Sequence, residues 1–248
     1  MNSGGAIVGT DSDYGFVRLT DGSFYFFLDP DESLPSTGAT SINASGTMVG
    51  NYALFQTGVS GLVGFVRTRE GQYTSYMAPG AISTAIYWIN NAGYYTGFFN
   101  PTIDEAPTFQ GFAVAPDGTT TTFLVEGETY PFGINNHNEI VGYFSSPGEE
   151  TYHGFVRTAQ GLITQLDMPG AASTSAFGIN DLGVVVGAAN VNGALATCFV
   201  YSGGTFTPFS VPGAESTNLL AIDNRGHLAG TYYDSTGNLH GFIAVPVE

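Results

Sequence analysis

One short phrase is written six times along this chain of 248 residues, and that recurrence limits the fold more than any other feature. It reads SINASGTMVG from Ser41, WINNAGYYTG from Trp88, GINNHNEIVG from Gly133, GINDLGVVVG from Gly178 and AIDNRGHLAG from Ala221, with a degenerate start at Met1-Asn2. Aligned on the Ile-Asn pair, the copies begin at Met1, Ile42, Ile89, Ile134, Ile179 and Ile222, at spacings of 41, 47, 45, 45 and 43 residues. A period of that length holds about four short strands with their turns, which is a propeller blade and too much for one coil of a β-helix. A lone meander cannot bury both of its faces, so the copies must stack on one another.

The fourth copy shows the parse. Strand A is the apolar segment before the Asn, strand B is EIVGYF, strand C is HGFVRT and strand D is LITQLDM, followed by a PGAAST link. Turn residues fall where this scheme needs them. An Asn-led turn joins A to B, as in Asn90-Asn91-Ala92-Gly93, and a Gly turn joins C to D, as in Asp117-Gly118 and Gln160-Gly161; both suit tight hairpins with a residue at positive φ. Glycine recurs inside strand B (Gly9, Gly50, Gly97, Gly142, Gly187, Gly230) and strand C (Gly15, Gly64, Gly111, Gly154, Gly241), where it marks close backbone approach. Six Phe (Phe16, Phe65, Phe112, Phe155, Phe199, Phe242) beside the strand C position are read as inter-blade core.

The expected fold is therefore all-β: one repeat-built propeller domain over residues 1–248, with about six four-stranded antiparallel blades. The repeats lie near 1–41, 42–88, 89–133, 134–178, 179–221 and 222–248. Copy one has no strand A and copy six no strand D, so the terminal segments are expected to share in closing the last blade, with five blades plus a hairpin as the alternative.

Composition narrows the function. A chain with 21 acidic side chains, five Arg and no Lys carries a net charge of -16, which repels a phosphate backbone, so nucleic acid is excluded as a partner. No apolar run reaches the ~18 residues that cross a bilayer as a helix, so membrane insertion is not expected, and no secretory signal region follows Met1. Cys198 stands where other copies have Gly; being the sole Cys, it forms no internal disulfide and reads as a small buried residue. Gly58-Val59-Ser60-Gly61-Leu62 fails as a nucleophile elbow at its last position. His137, His153, His227 and His240 lack metal-site spacing. The acidic groups Asp11/Asp13, Asp29/Asp31/Glu32, Asp104/Glu105, Glu126/Glu128 and Glu149/Glu150 lack a calcium-loop pattern. No metal and no cofactor is expected.

The IN-x-x-G-x-x-VG phrase, followed by His153-Gly154-Phe155 or His240-Gly241-Phe242 and by PGA-x-ST, resembles the repeats of the bacterial "probable extracellular repeat, HAF family". The likeness runs along essentially the whole chain, with Tyr14, Val63, Gln110 or Thr197 replacing the His in other copies. It implies a repeat architecture and an extracellular or cell-surface setting, and it brings no catalytic residues.

What differs between copies is the B-to-C connection: Ala53 to Leu62, Asn100 to Phe109, Ser145 to Tyr152, Asn190 to Ala196 and Asp234 to Leu239. Rings beside these segments (Tyr52, Phe55, Phe99, Tyr143, Tyr152, Tyr232, Tyr233) are the candidate ligand-binding residues, because aromatic platforms among neutral polar groups suit sugars. The leading expectation is a non-catalytic module that recognises a glycan or a protein through this loop face. A carbohydrate-active hydrolase or lyase using acids on the same face, and a structural surface repeat, are the alternatives; oligomeric state leaves no sequence signal.

Overall fold

The structure is a computed structural model that describes residues 2, 4–30, 36–56, 59–101, 108–191 and 197–246, with no side chain described from 54 to 60. The described residues form 22 strands and no helix. They make six antiparallel meanders, one per copy, each with its strands in chain order. The chain divides into two compact units, Met1–Leu124 and Val125–Glu248, with three meanders in each.

In the first unit, blade 1 has strands B, C and D at Ile7–Asp11, Tyr14–Arg18 and Phe24–Phe27. Blade 2 adds an A strand: Gly38–Ile42, Met48–Gln56, Val59–Arg67 and Tyr73–Tyr76. Blade 3 comprises Ser83–Ile89, Tyr95–Asn100, Gln110–Val114 and Thr120–Phe123. In the second unit, blade 4 is Glu128–Ile134, Ile140–Ser145, His153–Arg157 and Ile163–Leu166. Blade 5 is Ala171–Ile179, Val185–Val191, Thr197–Ser202 and Thr205–Phe209. Blade 6 stops after strand C, with Ser216–Ile222, Leu228–Tyr233 and Leu239–Ala244.

Six blades are present, so the five-blade alternative fails. Among the described residues, the first and last meanders are three-stranded sheets, each in chain order. A correction concerns blade 2, where the ladder continues out to Gln56↔Val59, so strands occupy most of the Ala53-to-Leu62 segment expected as a loop.

Packing within each unit follows the alternation of strand C. Its Phe points to the preceding blade: Phe65 meets Phe27 edge-on at 6.3 Å and shares a core with Val17, Ile42 and Met48. Phe65, Phe112, Phe155 and Phe199 are fully buried, whereas Phe16 and Phe242 in the end blades are half-buried. On the opposite face, the strand C glycine lets the next blade in; a Cβ at Gly64 would lie 2.6 Å from Ile86. Cys198 fills this position in blade 5, its thiol donating to the Thr217 carbonyl at 2.9 Å and accepting from the Leu219 amide at 3.2 Å.

Every complete A strand carries a β-bulge three residues before its Asn or Asp, placing Thr40, Tyr87, Phe132, Phe177 and Leu220 as the extra residue. A bulge re-aims one side chain and leaves the ladder locally disrupted. The strand B glycine is its counterpart. A Cβ at Gly50, Gly97, Gly142, Gly187 or Gly230 would run into the carbonyl oxygen of Gly38, Ala85, Tyr130, Ser175 or Asn218, two residues before each bulged residue.

The Asn that opens each A-to-B turn has two tasks. Its Oδ1 accepts the backbone amides two and four residues on, as Asn180 does from Leu182 and Val184, both at 3.0 Å. Its Nδ2 donates to the matching backbone carbonyl of the next blade. In the first unit Asn2 reaches Asn43 at 2.9 Å and Asn43 reaches Asn90 at 3.2 Å; in the second, Asn135 reaches Asn180 and Asn180 reaches Asp223, both at 3.1 Å. Asp223 caps its own turn in the same way and has no side-chain donor to pass on. Copy four has Asn138 where other turns have Gly, and it adopts φ 60°, a conformation Asn tolerates.

Candidate functional site: two aromatic stairs

The bulge gives the variable end of two blades a common feature. In blade 4 the bulged Phe132 stacks on Tyr143 at 5.5 Å, and Tyr143 meets Tyr152 edge-on at 5.1 Å. In blade 3 the bulged Tyr87 stacks on Phe98 at 5.3 Å, and Phe98 meets Phe109 edge-on at 5.4 Å. The rings hold the same places in both copies: the bulge, the residue after the strand B glycine, and the second residue before the strand C glycine. Each blade thus presents a stair of three rings across strands A, B and C, ending at the B-to-C connection. The places are occupied by Thr40, Asn51 and Leu62 in blade 2 and by Leu220, Thr231 and Leu239 in blade 6, so the stair is particular to blades 3 and 4.

Blade 4 extends the stair within its unit. Phe132 also meets Phe177, the bulged ring of blade 5, at 5.6 Å, and Tyr130 stacks on Tyr143 at 4.9 Å. The Tyr130 hydroxyl donates to Glu128 Oε2 at 2.8 Å. Burial, with the bond and charge of Glu128, holds the Tyr130 phenol far above its ordinary range, so it remains a neutral donor. Tyr152 is 40% exposed, and Phe132, Tyr143 and Phe177 are half-buried. Elsewhere in the blade Ser146 donates to Glu126 at 2.6 Å, and His153, whose ring meets Phe144 at 5.3 Å, has Nδ1 3.1 Å from Asp167.

The structure sorts the candidate rings by strand alternation. Tyr143 and Tyr152 come together in the blade 4 stair. Tyr52 and Phe99 are corrected: each is 3% exposed, because the second residue after the strand B glycine faces the preceding blade and enters the core. Tyr232 holds that same place in blade 6 and stacks on His240 at 5.0 Å, while Tyr233 is 40% exposed. Phe55 lies in strand B of blade 2, and its side chain is outside those described. Asp104, Glu105, Asp31 and Glu32 also fall outside the described residues. Sequence reasoning passed over Phe132, Phe177, Tyr87 and Phe109. The signal for the first three is a fixed offset, since the bulged residue lies three before the turn Asn; Phe109 lies two before the strand C glycine Gly111.

His153 and His240 each sit against a carboxylate, Asp167 at 3.1 Å and Asp234 at 2.7 Å. Among the described residues, no group of three or more His, Cys, Asp or Glu is placed to hold a metal ion.

No family model and no curated protein matches the chain. Solved structures do match, and they are β-propellers or contain one. The β-propeller domain of the Trilobed protease from Pyrococcus furiosus is 10% identical with a TM-score of 0.58, covering 96% of this chain and 74% of that one. TolB from Acinetobacter baumannii is 12% identical with a TM-score of 0.58, covering 96% of this chain and 62% of its own. A gluconolactonase from Xanthomonas campestris is 13% identical with a TM-score of 0.57, covering 98% and 83%. The chain therefore spans less than two thirds of TolB's length. At these identities the likeness establishes the fold, a six-bladed all-β propeller, and leaves function to be argued from the site.

Proposed function

We propose that this chain is a non-catalytic binding module and that its aromatic stairs recognise a glycan. The observation that carries the reading is the repetition of one three-ring arrangement in blades 3 and 4, at places filled by small or aliphatic residues in blades 2 and 6. Rings braced by neighbouring rings offer large, rigid contact area at low conformational cost, and a few polar groups beside them fix orientation. Sugar rings match this surface because they present apolar C–H faces edged by hydroxyls. Likeness of the repeat to the bacterial extracellular HAF repeats supports a cell-surface or secreted setting, where such ligands are found.

Screening the purified chain on a glycan array, then titrating the best binder, tests the reading. Tyr152→Ala and Phe109→Ala are expected to weaken binding at least about tenfold, in keeping with loss of an aromatic anchor, with little change in melting temperature. An array without binders, or binding indifferent to both substitutions, would overturn it. Cleavage of the bound glycan would show the module to be an enzyme.

A further inference from the structure

The other end of the strands, where the Asn turns lie, carries a separate feature inside the first unit. A groove of about 380 Å³ runs between blades 2 and 3, bounded by the A-to-B turns of both and the C-to-D turn of blade 3. That volume falls in the ordinary range of small-molecule sites. Its walls combine hydroxyl and amide groups (Ser45, Thr74, Asn91) with apolar surface from Ile89 and Pro116, and Tyr95 lines it as well.

In a chain of net charge -16, no Asp, Glu, Lys, Arg or His lines this groove; the charged residues beside it are Arg69, whose stem packs on Gly46, and Asp117, whose carboxylate accepts from the Thr119 amide. The repeat shows what else could have stood there. The places of Ser45, Thr47 and Asn91 are taken in blades 4 and 5 by His137, Glu139 and Asp181. Neutrality is thus a property of this blade pair and not of the turn motif. Among the described residues, neither the Tyr95 hydroxyl nor the Thr74 hydroxyl has a hydrogen-bond partner, so both are free to meet a ligand. Burial, and then the neighbouring Tyr76, raise the Tyr95 phenol well above its ordinary value, so it offers a proton and no charge.

We infer that the groove between blades 2 and 3 is a second binding site, one that takes a neutral, hydroxyl-rich small molecule of monosaccharide to disaccharide size. A charged sugar is disfavoured because it would give up hydration with no counter-charge among the lining side chains. The site is independent of the aromatic stairs: Tyr95 opens strand B of blade 3, and Phe98 lies three residues along it, about 10 Å away at the usual strand rise. A free sugar and the terminal residue of a longer glycan present the same groups to it.

The test is a calorimetric titration of the purified chain with glucose, galactose, N-acetylglucosamine, lactose and cellobiose, and with glucuronate as the charged counterpart. Emission from Trp88, the only Trp in the chain and next to Ile89, gives a second readout. At least one neutral sugar is expected to bind. Tyr95→Phe, which removes one hydroxyl, should weaken it about fivefold, and Ala92→Phe, which narrows the groove from an exposed turn, should abolish it. Both variants should keep the melting temperature of the parent chain, and Tyr152→Ala should leave this binding intact. Repeating the titration with the bound sugar linked to a soluble polymer separates a free-sugar site, which loses affinity, from a glycan-end site, which keeps it. Failure of every neutral sugar to bind, equal binding of glucuronate, or binding unaffected by Ala92→Phe would each overturn the inference.

Discussion

Why the turn phrase spells Asn follows from counting donors and acceptors. Asp at this place would cap the hairpin equally well, but an ionised carboxylate only accepts, whereas the Asn amide also donates to the next blade's carbonyl. The sixth copy is informative because Asp223 keeps the accepting half of the task and drops the donating half. Asn135→Ala is expected to cost about 2 kcal/mol, since it strands buried turn amides and the Asn180 carbonyl together, whereas Asp223→Asn should be nearly neutral. Denaturant titration of the two variants side by side checks this contrast. Asp181 makes a pH prediction at the same scale. Burial acts to raise its pKa and is outweighed by hydrogen bonds from the side chain and backbone of Asn136 and from Asn224, with His137 adding a smaller pull downward. With the folded value below the unfolded one, the stabilisation is complete above about pH 4 and is lost as pH falls through the folded value. Asp181→Asn should therefore flatten the acid limb of a stability-against-pH curve by lowering stability in the neutral region, with the two curves converging at low pH. The recurrence of Asn was legible in the sequence. Its second hydrogen bond was not, because the acceptor lies some 45 residues away in another blade.

At the scale of a blade, strand B glycine and strand A bulge form one device. The carbonyl two residues before the bulged residue lies against the facing strand B position, and only glycine leaves room there. Gly142→Ala would set a methyl group against the Tyr130 carbonyl and within 2.9 Å of the Phe155 ring. We expect it to cost about 3 kcal/mol, in the upper range for overpacking, and to disturb the Phe132–Tyr143 stack that depends on the bulge. Phe positions separate just as clearly. Phe155→Ala should cost about 3–5 kcal/mol, as emptying a packed aromatic site does, while Phe24→Ala should change stability by less than about 1 kcal/mol, because Phe24 is 51% exposed on the edge strand of blade 1. Urea unfolding of these variants would show whether the midpoints fall in that order. Here the sequence was a good guide to which glycines and Phe recur and a poor one to the bulge itself. A one-residue insertion leaves no composition signal, and it shifts the side-chain alternation of strand A, which is why Tyr87 and Phe132 were passed over.

For the molecule as a whole, charge sets the leading prediction. With 21 acids against five Arg, and all four ion pairs seen among the described residues involving His, long-range repulsion outweighs attraction near neutral pH. Raising NaCl from about 20 mM to about 500 mM shortens the screening length several-fold, and the melting temperature should rise by several degrees; calorimetry over that range would expose a fall, which would mean that attractive pairs dominate. The sequence by itself determined the class, the number of copies, the strand order within each and the residues that turn the chain, because those depend on local conformational preference and on a period short enough to read. Tertiary structure alone decided that, among the described residues, the end blades keep three strands apiece, that Tyr52 and Phe99 are core while Tyr143 and Tyr152 join a stair, and that one groove is free of charge. Each of these depends on which residues from different blades meet. Packing and long-range hydrogen bonds settle that, and no property of the linear repeat encodes it.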